Sequence, residues 1–138
     1  MPRVPKFVAV VVRERAGHVC EYCHRPESSS RLRFVCDHVI ASQHSGATSP
    51  ENLALCCTFC NLHKGPNVAG VDPETGAVVP LFSPRRDAWQ EHFRRAGATI
   101  VGTSPAGRAT VVVLAMNDPR QVVVRRVLID DGKMRTEE

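Results

Sequence analysis

Two Cys-x-x-Cys pairs, Cys20-Glu21-Tyr22-Cys23 and Cys57-Thr58-Phe59-Cys60, bracket an Asp37-His38 pair set in the otherwise apolar run VCDHVIAS. Each pair is a knuckle whose spacing lets two thiolates reach one ion, with sulfur about 2.3 Å from it. Only 33 residues separate the knuckles, short enough for both to meet on a single Zn²⁺. Four thiolates fill the tetrahedron, leave no position for water and make the ion structural. The competing reading, one redox pair and one accidental pair, fits less well, because redox pairs usually open a helix in a βαβ setting. Cys36 and Cys56 have no partner at ligand spacing and read as small buried hydrophobes. His18 and His24 flank the first knuckle as the alternative ligands.

Asp37 and Asn61, the residue directly after Cys60, form an oxygen pair with hard-ligand character, suited to Mg²⁺ or Mn²⁺ with water and a substrate phosphate completing the shell. His38 has an ordinary pKa of about 6.5 and can take the proton of an attacking water at neutral pH. Asn52, across the loop, supplies a hydrogen bond for the imidazole or for the loop itself. Together these groups suit hydrolysis of a phosphodiester. His63 lies roughly 200° around a helix from Asn61 and does not share its ion; His44, His63 and His92 read as solvated. Lys64, Arg85 and Arg86 are the candidate phosphate-neutralising side chains.

Positioning these groups requires particular elements. Adjacent strand residues face opposite ways, so Asp37 and His38 can serve one site only where their strand ends. The pattern gives a helix over 5–17 between Pro5 and Gly17, a strand over 32–40, a second strand at 53–56 and a short helix from Cys57 to Lys64, stopped by Gly65-Pro66. Further on, Asp72-Pro73-Glu74-Thr75-Gly76 marks a hairpin turn. Ser83-Pro84 reads as the start of a helix carrying Trp89 and Phe93 on one face, and ATIVG at 98–102 as a strand. The valine-rich stretches 105–116 and 119–129 read as two helices around Asn117-Asp118-Pro119, and 132–138 as a frayed tail. The expected fold is α+β: a ββα core at 17–66 stapled by the four-cysteine zinc, an N-terminal helix and a mixed α/β extension at 67–131, all in one domain spanning 1–138.

With five Phe, one Trp and one Tyr in 138 residues, the core is mainly aliphatic and gains from a bound metal. A net charge of +4, with arginines in pairs, suits a polyanion but is equally met on mixed surfaces. FVAVVV is too short for an export signal, and no run approaches the roughly 20 apolar residues of a membrane span. The expected setting is cytoplasmic, where six cysteines serve as thiols and ligands rather than disulfides.

The run from Cys20-Glu21-Tyr22-Cys23 through Asp37-His38-Val39-Ile40, Glu51-Asn52-Leu53 and Cys57-Thr58-Phe59-Cys60-Asn61 to Lys64-Gly65 resembles a zinc-containing HNH endonuclease, with its ββα-metal (His-Me finger) fold. VDPETG, LFSPRRDAW, EHF and GRAT resemble a group of small bacterial HNH proteins. The resemblance implies a DNA endonuclease in which His38 is the general base, Asp37 and Asn61 hold a divalent cation, Asn52 orients, and the product ends are 5′-phosphate and 3′-hydroxyl. A double-strand cut from one site per chain then needs a homodimer or two visits. Three positions depart from the family pattern: Asn61 in place of His, as in an HNN branch that includes junction-resolving phage nucleases; Ala41-Ser42-Gln43 where a Pro is usual; and Ser45-Gly46-Ala47 where a double Gly is usual. Two other classes compete: a non-catalytic zinc-ribbon module binding nucleic acid or protein, and a thiol-disulfide protein.

Overall fold

The structure, a computed structural model, describes residues 3–134; the expected tail lies from residue 135 onward outside the described residues. Contacts divide the chain into two compact units, one running to Val68 and taking in Ser83–Arg86, the other formed by Ala69–Phe82 and the residues from Asp87 on.

The first unit opens with helix α1, Lys6–Arg15, which follows Pro5 and is closed by Gly17 at φ 65. Val8 and Val12, one turn apart, are its buried positions, worth about 1.5–3 kcal/mol each if fully withdrawn from water. Its last turn is tied down by arginines: Arg13 donates to the Glu27 carboxylate, and Arg15 donates to the carbonyls of Pro50 and Leu53 at 2.9 and 2.6 Å. Strands β1 (Val35–His38) and β2 (Leu53–Cys56) pair antiparallel, with Asp37 opposite Ala54 and His38 opposite Leu53. The first strand is shorter than the expected 32–40, because side chains take its flanking amides. Glu27 accepts from Phe34 N–H, and Asn52 accepts from Ile40 N–H. Helix α2, Thr58–Lys64, starts on the Cys57 sulfur, which accepts from Cys60 N–H, and stops at Gly65.

In the second unit, β3 (Ala69–Val71) and β4 (Val78–Pro80) form the expected hairpin. Asp72 organises its turn by accepting from Glu74 N–H and Thr75 Oγ1, and a fork of two 2.9 Å bonds joins it to Arg108. The expected helix from Ser83 is absent: residues 84–86 are turn, Trp89–Glu91 make a single 3-10 turn, and Phe93–Ala96 is strand β5. Its partner β6, Thr99–Gly102, returns through a two-residue loop with Gly97 at φ 61, the positive φ that such hairpin loops demand. Trp89 and Phe93 still meet, with ring centroids 5.0 Å apart. Helices α3 (Pro105–Val113) and α4 (Pro119–Asp130) confirm the helical reading of the valine-rich stretches. Ser104 and Asp118 cap them and proline holds the first position of each, a combination that outweighs the modest helix penalty of valine.

Candidate functional site

The two knuckles meet. The Sγ atoms of Cys20, Cys23, Cys57 and Cys60 lie within 4.8 Å of one another, all four residues buried. Sulfurs placed 2.3 Å from a central Zn²⁺ define a tetrahedron with edges of about 3.8 Å; Cys23 Sγ and Cys57 Sγ are 3.8 Å apart. Backbone N–H groups of Cys23 and Cys60 point at the sulfurs of Cys20 and Cys57, the donors that stabilise thiolate character within each knuckle. Burial opposes ionisation of Cys20, but the thiols of Cys23, Cys56, Cys57 and Cys60 bond its sulfur and bring it well below its usual value. The same contacts with Cys20 push the thiols of Cys23 and Cys60 well up. The cage therefore accepts one negative charge readily and resists the next, which is the electrostatic demand that a divalent cation meets. The cluster fits a structural zinc, with Cys56 buried beside it and Cys36 half-buried on β1. Neither His18 nor His24 belongs to the cluster.

Next to the cage, β1 ends at His38, and Asp37, His38 and Asn61 line one cleft of about 220 Å³ together with Ala41, Ser42 and Pro66. The end of the strand thus lets two consecutive residues share a site. Asp37 is buried and held from two directions: Tyr22 O–H donates to Oδ2 at 2.9 Å, and Lys64 Nζ lies 3.2 Å from Oδ2 and 3.4 Å from Oδ1. Burial nevertheless pushes its carboxyl above the ordinary value, with Lys64 and Tyr22 opposing. Burial and then the Asp37 charge push the Tyr22 hydroxyl well up, so it remains a proton donor.

His38 Nε2 lies 2.9 Å from Thr48 Oγ1, while Nδ1 is buried with no hydrogen-bond partner among the described residues. An orphaned ring nitrogen costs free energy unless something binds there. Three features thus fit a divalent cation with its water: the unpartnered imidazole nitrogen, the Asn61 amide lining the same cleft, and a carboxylate whose desolvation Lys64 does not fully offset. When bound, such an ion would supply positive charge for a phosphate and for the charge that develops on it.

Asn52 works on the loop. Its Oδ1 accepts from Ile40 N–H, and its Nδ2 donates to the carbonyls of Ile40 and Ala47 at 2.9 and 2.8 Å. The imidazole is held by Thr48, which the sequence reading did not single out; a hydroxyl ten residues past His38 has no spacing signature. Lys64, expected at the surface as a phosphate contact, is buried at 1% exposure and turned to Asp37 and the His38 carbonyl. Arg85 is half-buried and bonded to the Glu21 carboxylate, whereas Arg86 is exposed. Arg31 and Arg33, also missed, are exposed on either side of Leu32 and form no ion pair among the described residues. His63 Nδ1 bonds the Phe59 carbonyl, so it carries the proton there, and His92 Nδ1 lies 2.6 Å from the helix-capping Ser104 hydroxyl. His44 is exposed.

No described helix is long and apolar enough to cross a membrane. Residues 20–67 match the HNH endonuclease family, so the chain carries an HNH endonuclease family domain at the cage and cleft, which implies nuclease activity on a nucleic acid. No curated protein and no solved structure matches the chain.

Proposed function

We propose that the HNH endonuclease domain hydrolyses DNA phosphodiesters, with His38 as general base and Asp37 and Asn61 as holders of a Mg²⁺ or Mn²⁺ ion. The observation that carries this reading is one cleft lined by Asp37, His38 and Asn61, with His38 Nδ1 buried and without a hydrogen-bond partner among the described residues. With the single proton of the neutral ring on Nε2 and donated to Thr48, Nδ1 presents a lone pair to water. His38 takes the proton as water attacks phosphorus in line, and the 3′ oxygen leaves. Asn52 keeps the 40–47 loop closed over the site, and Lys64 keeps Asp37 ionised. Arg31, Arg33 and Arg86 offer positive charge for flanking phosphates. The whole 1–138 chain acts as one enzyme, and a double-strand cut takes two chains or two visits.

The test is nicking of supercoiled plasmid with Mg²⁺ or Mn²⁺ by the full chain and by His38→Ala. Loss of general-base catalysis costs about 10²- to 10⁴-fold in rate, with the zinc content unchanged. Equal nicking by both proteins, or none by the wild type with either metal, contradicts the proposal and leaves a zinc module that binds without cutting. End-labelling should find 5′-phosphates.

A further inference from the structure

The first knuckle grips both strands of the hairpin through its two middle residues. Glu21 exchanges two bonds with Leu55 on β2, its N–H donating to the Leu55 carbonyl and its carboxylate accepting from Leu55 N–H, each at 2.8 Å. Tyr22, fully buried, crosses to β1 and donates to Asp37 Oδ2. The second knuckle reaches the same carboxylate, since Lys64 lies four residues beyond Cys60 on α2 and its ammonium rests on Asp37. Both groups that hold Asp37 therefore hang from the sulfur cage.

From this we infer that Tyr22 is a positioning residue that couples the structural zinc to the catalytic cation. It fixes Oδ2 of Asp37 while Lys64 rests against both oxygens, and so sets the orientation in which the carboxylate meets a metal. The inference rests on the reading of Asp37 as a cation ligand and adds what sets that ligand's orientation. A carboxylate free to rotate loses part of its affinity to the rotamer entropy of ordering it, and partners standing behind a metal ligand typically contribute about 10- to 100-fold in metal affinity. Zinc occupancy at 20, 23, 57 and 60 would then be felt at the cleft without any shared ligand.

Tyr22→Phe keeps the ring and removes only the hydroxyl. Mn²⁺ binding to the zinc-loaded full chain, followed by electron paramagnetic resonance, should weaken by about 10- to 100-fold in Tyr22→Phe, with zinc per chain unchanged; Asp37→Ala should abolish it. Wild-type affinity in Tyr22→Phe, beside loss in Asp37→Ala, overturns the Tyr22 inference alone. Wild-type affinity in Asp37→Ala, or no Mn²⁺ binding by the wild type, overturns the cation-site reading and this inference with it. Should Tyr22→Phe lose zinc, a second readout decides, because Tyr22 is the single tyrosine of the chain. In protein labelled with 3-fluorotyrosine, the one ¹⁹F resonance should shift saturably with Mg²⁺ and stay still in Asp37→Ala. A resonance that ignores Mg²⁺ in the wild type overturns the inference.

Discussion

In the proposed mechanism Thr48 decides which nitrogen of His38 acts, because its hydroxyl meets Nε2 while Nδ1 has no hydrogen-bond partner among the described residues. Thr48→Val strands Nε2 in a buried site, and the unpaired polar group costs about 1–3 kcal/mol. Part of that is lost as rate, so nicking should fall by about tenfold while zinc content holds; ¹⁵N chemical shifts of the His38 ring should report a change of tautomer. Lys64 is a stability residue at the same scale. Lys64→Met leaves a buried carboxylate facing no charge, and breaking a buried pair from one side costs about 3–5 kcal/mol. Chemical denaturation should show that loss, with partial recovery in Lys64→Met/Asp37→Asn. The sequence made the four-cysteine cage legible and pointed to the cleft that Asp37, His38 and Asn61 share, because metal chemistry constrains type and spacing together. It could not reveal Tyr22 or Thr48, which contribute one hydroxyl each and are recruited by tertiary proximity. Nor could it separate a buried lysine from a solvated one.

Loops and turns carry the departures at the scale of elements. Ser45 takes φ 68, the left-handed conformation for which glycine is the usual residue, and a Cβ on Gly46 would come within 1.7 Å of the Ile40 carbonyl oxygen and 2.8 Å of Asn52 Nδ2. The glycine that remains is the one with no room for a side chain. Gly46→Ala should force the 40–47 loop off Asn52 at a cost of about 1–3 kcal/mol, visible as a lower melting temperature and faster amide exchange at Ile40. Ala41, where the family pattern has proline, sits at φ −62 and ψ 152, angles that proline itself adopts, so the loop keeps its path without the ring. The hairpin at 93–102 was hidden for a different reason. Ser83-Pro84 is a valid helix start taken locally, and Trp89 and Phe93 have helical spacing, yet Gly97 between two pairing segments closes a hairpin that local signals do not rank. The ends of β1 were also illegible, since the carboxylate and amide that consume its flanking N–H groups come from residues 27 and 52.

Charge is unevenly shared across the whole molecule. The first unit holds ten Lys and Arg against five Asp and Glu, the second eight against nine, so the attraction for a polyanion lies with the unit that carries the cleft. Arg31→Ala and Arg33→Ala should each flatten the dependence of log affinity on log salt by about one contact's worth, measured with a labelled duplex in the His38→Ala background. In the second unit, the Arg108 guanidinium holds the Asp72 carboxyl well below the usual carboxylate range, burial opposing and Glu74 N–H and Thr75 O–H adding to it. A depressed native value means that this stabilisation is complete above about pH 4 and is lost as pH falls below it. Thermal unfolding of Asp72→Asn should therefore lose stability at neutral pH and respond less to acid than the wild type. Chelation of zinc should act on the first unit, with loss of the ordered ββα core seen by amide exchange.

Anomalous diffraction from crystals of the full chain soaked in Mn²⁺ is the most direct check. A zinc peak among the four sulfurs and a separate manganese peak touching Asp37 and Asn61, with His38 Nδ1 facing its water, is the expected result. Manganese absent from the cleft at saturating concentration, with Asp37 still satisfied by Lys64 and Tyr22 alone, would contradict it.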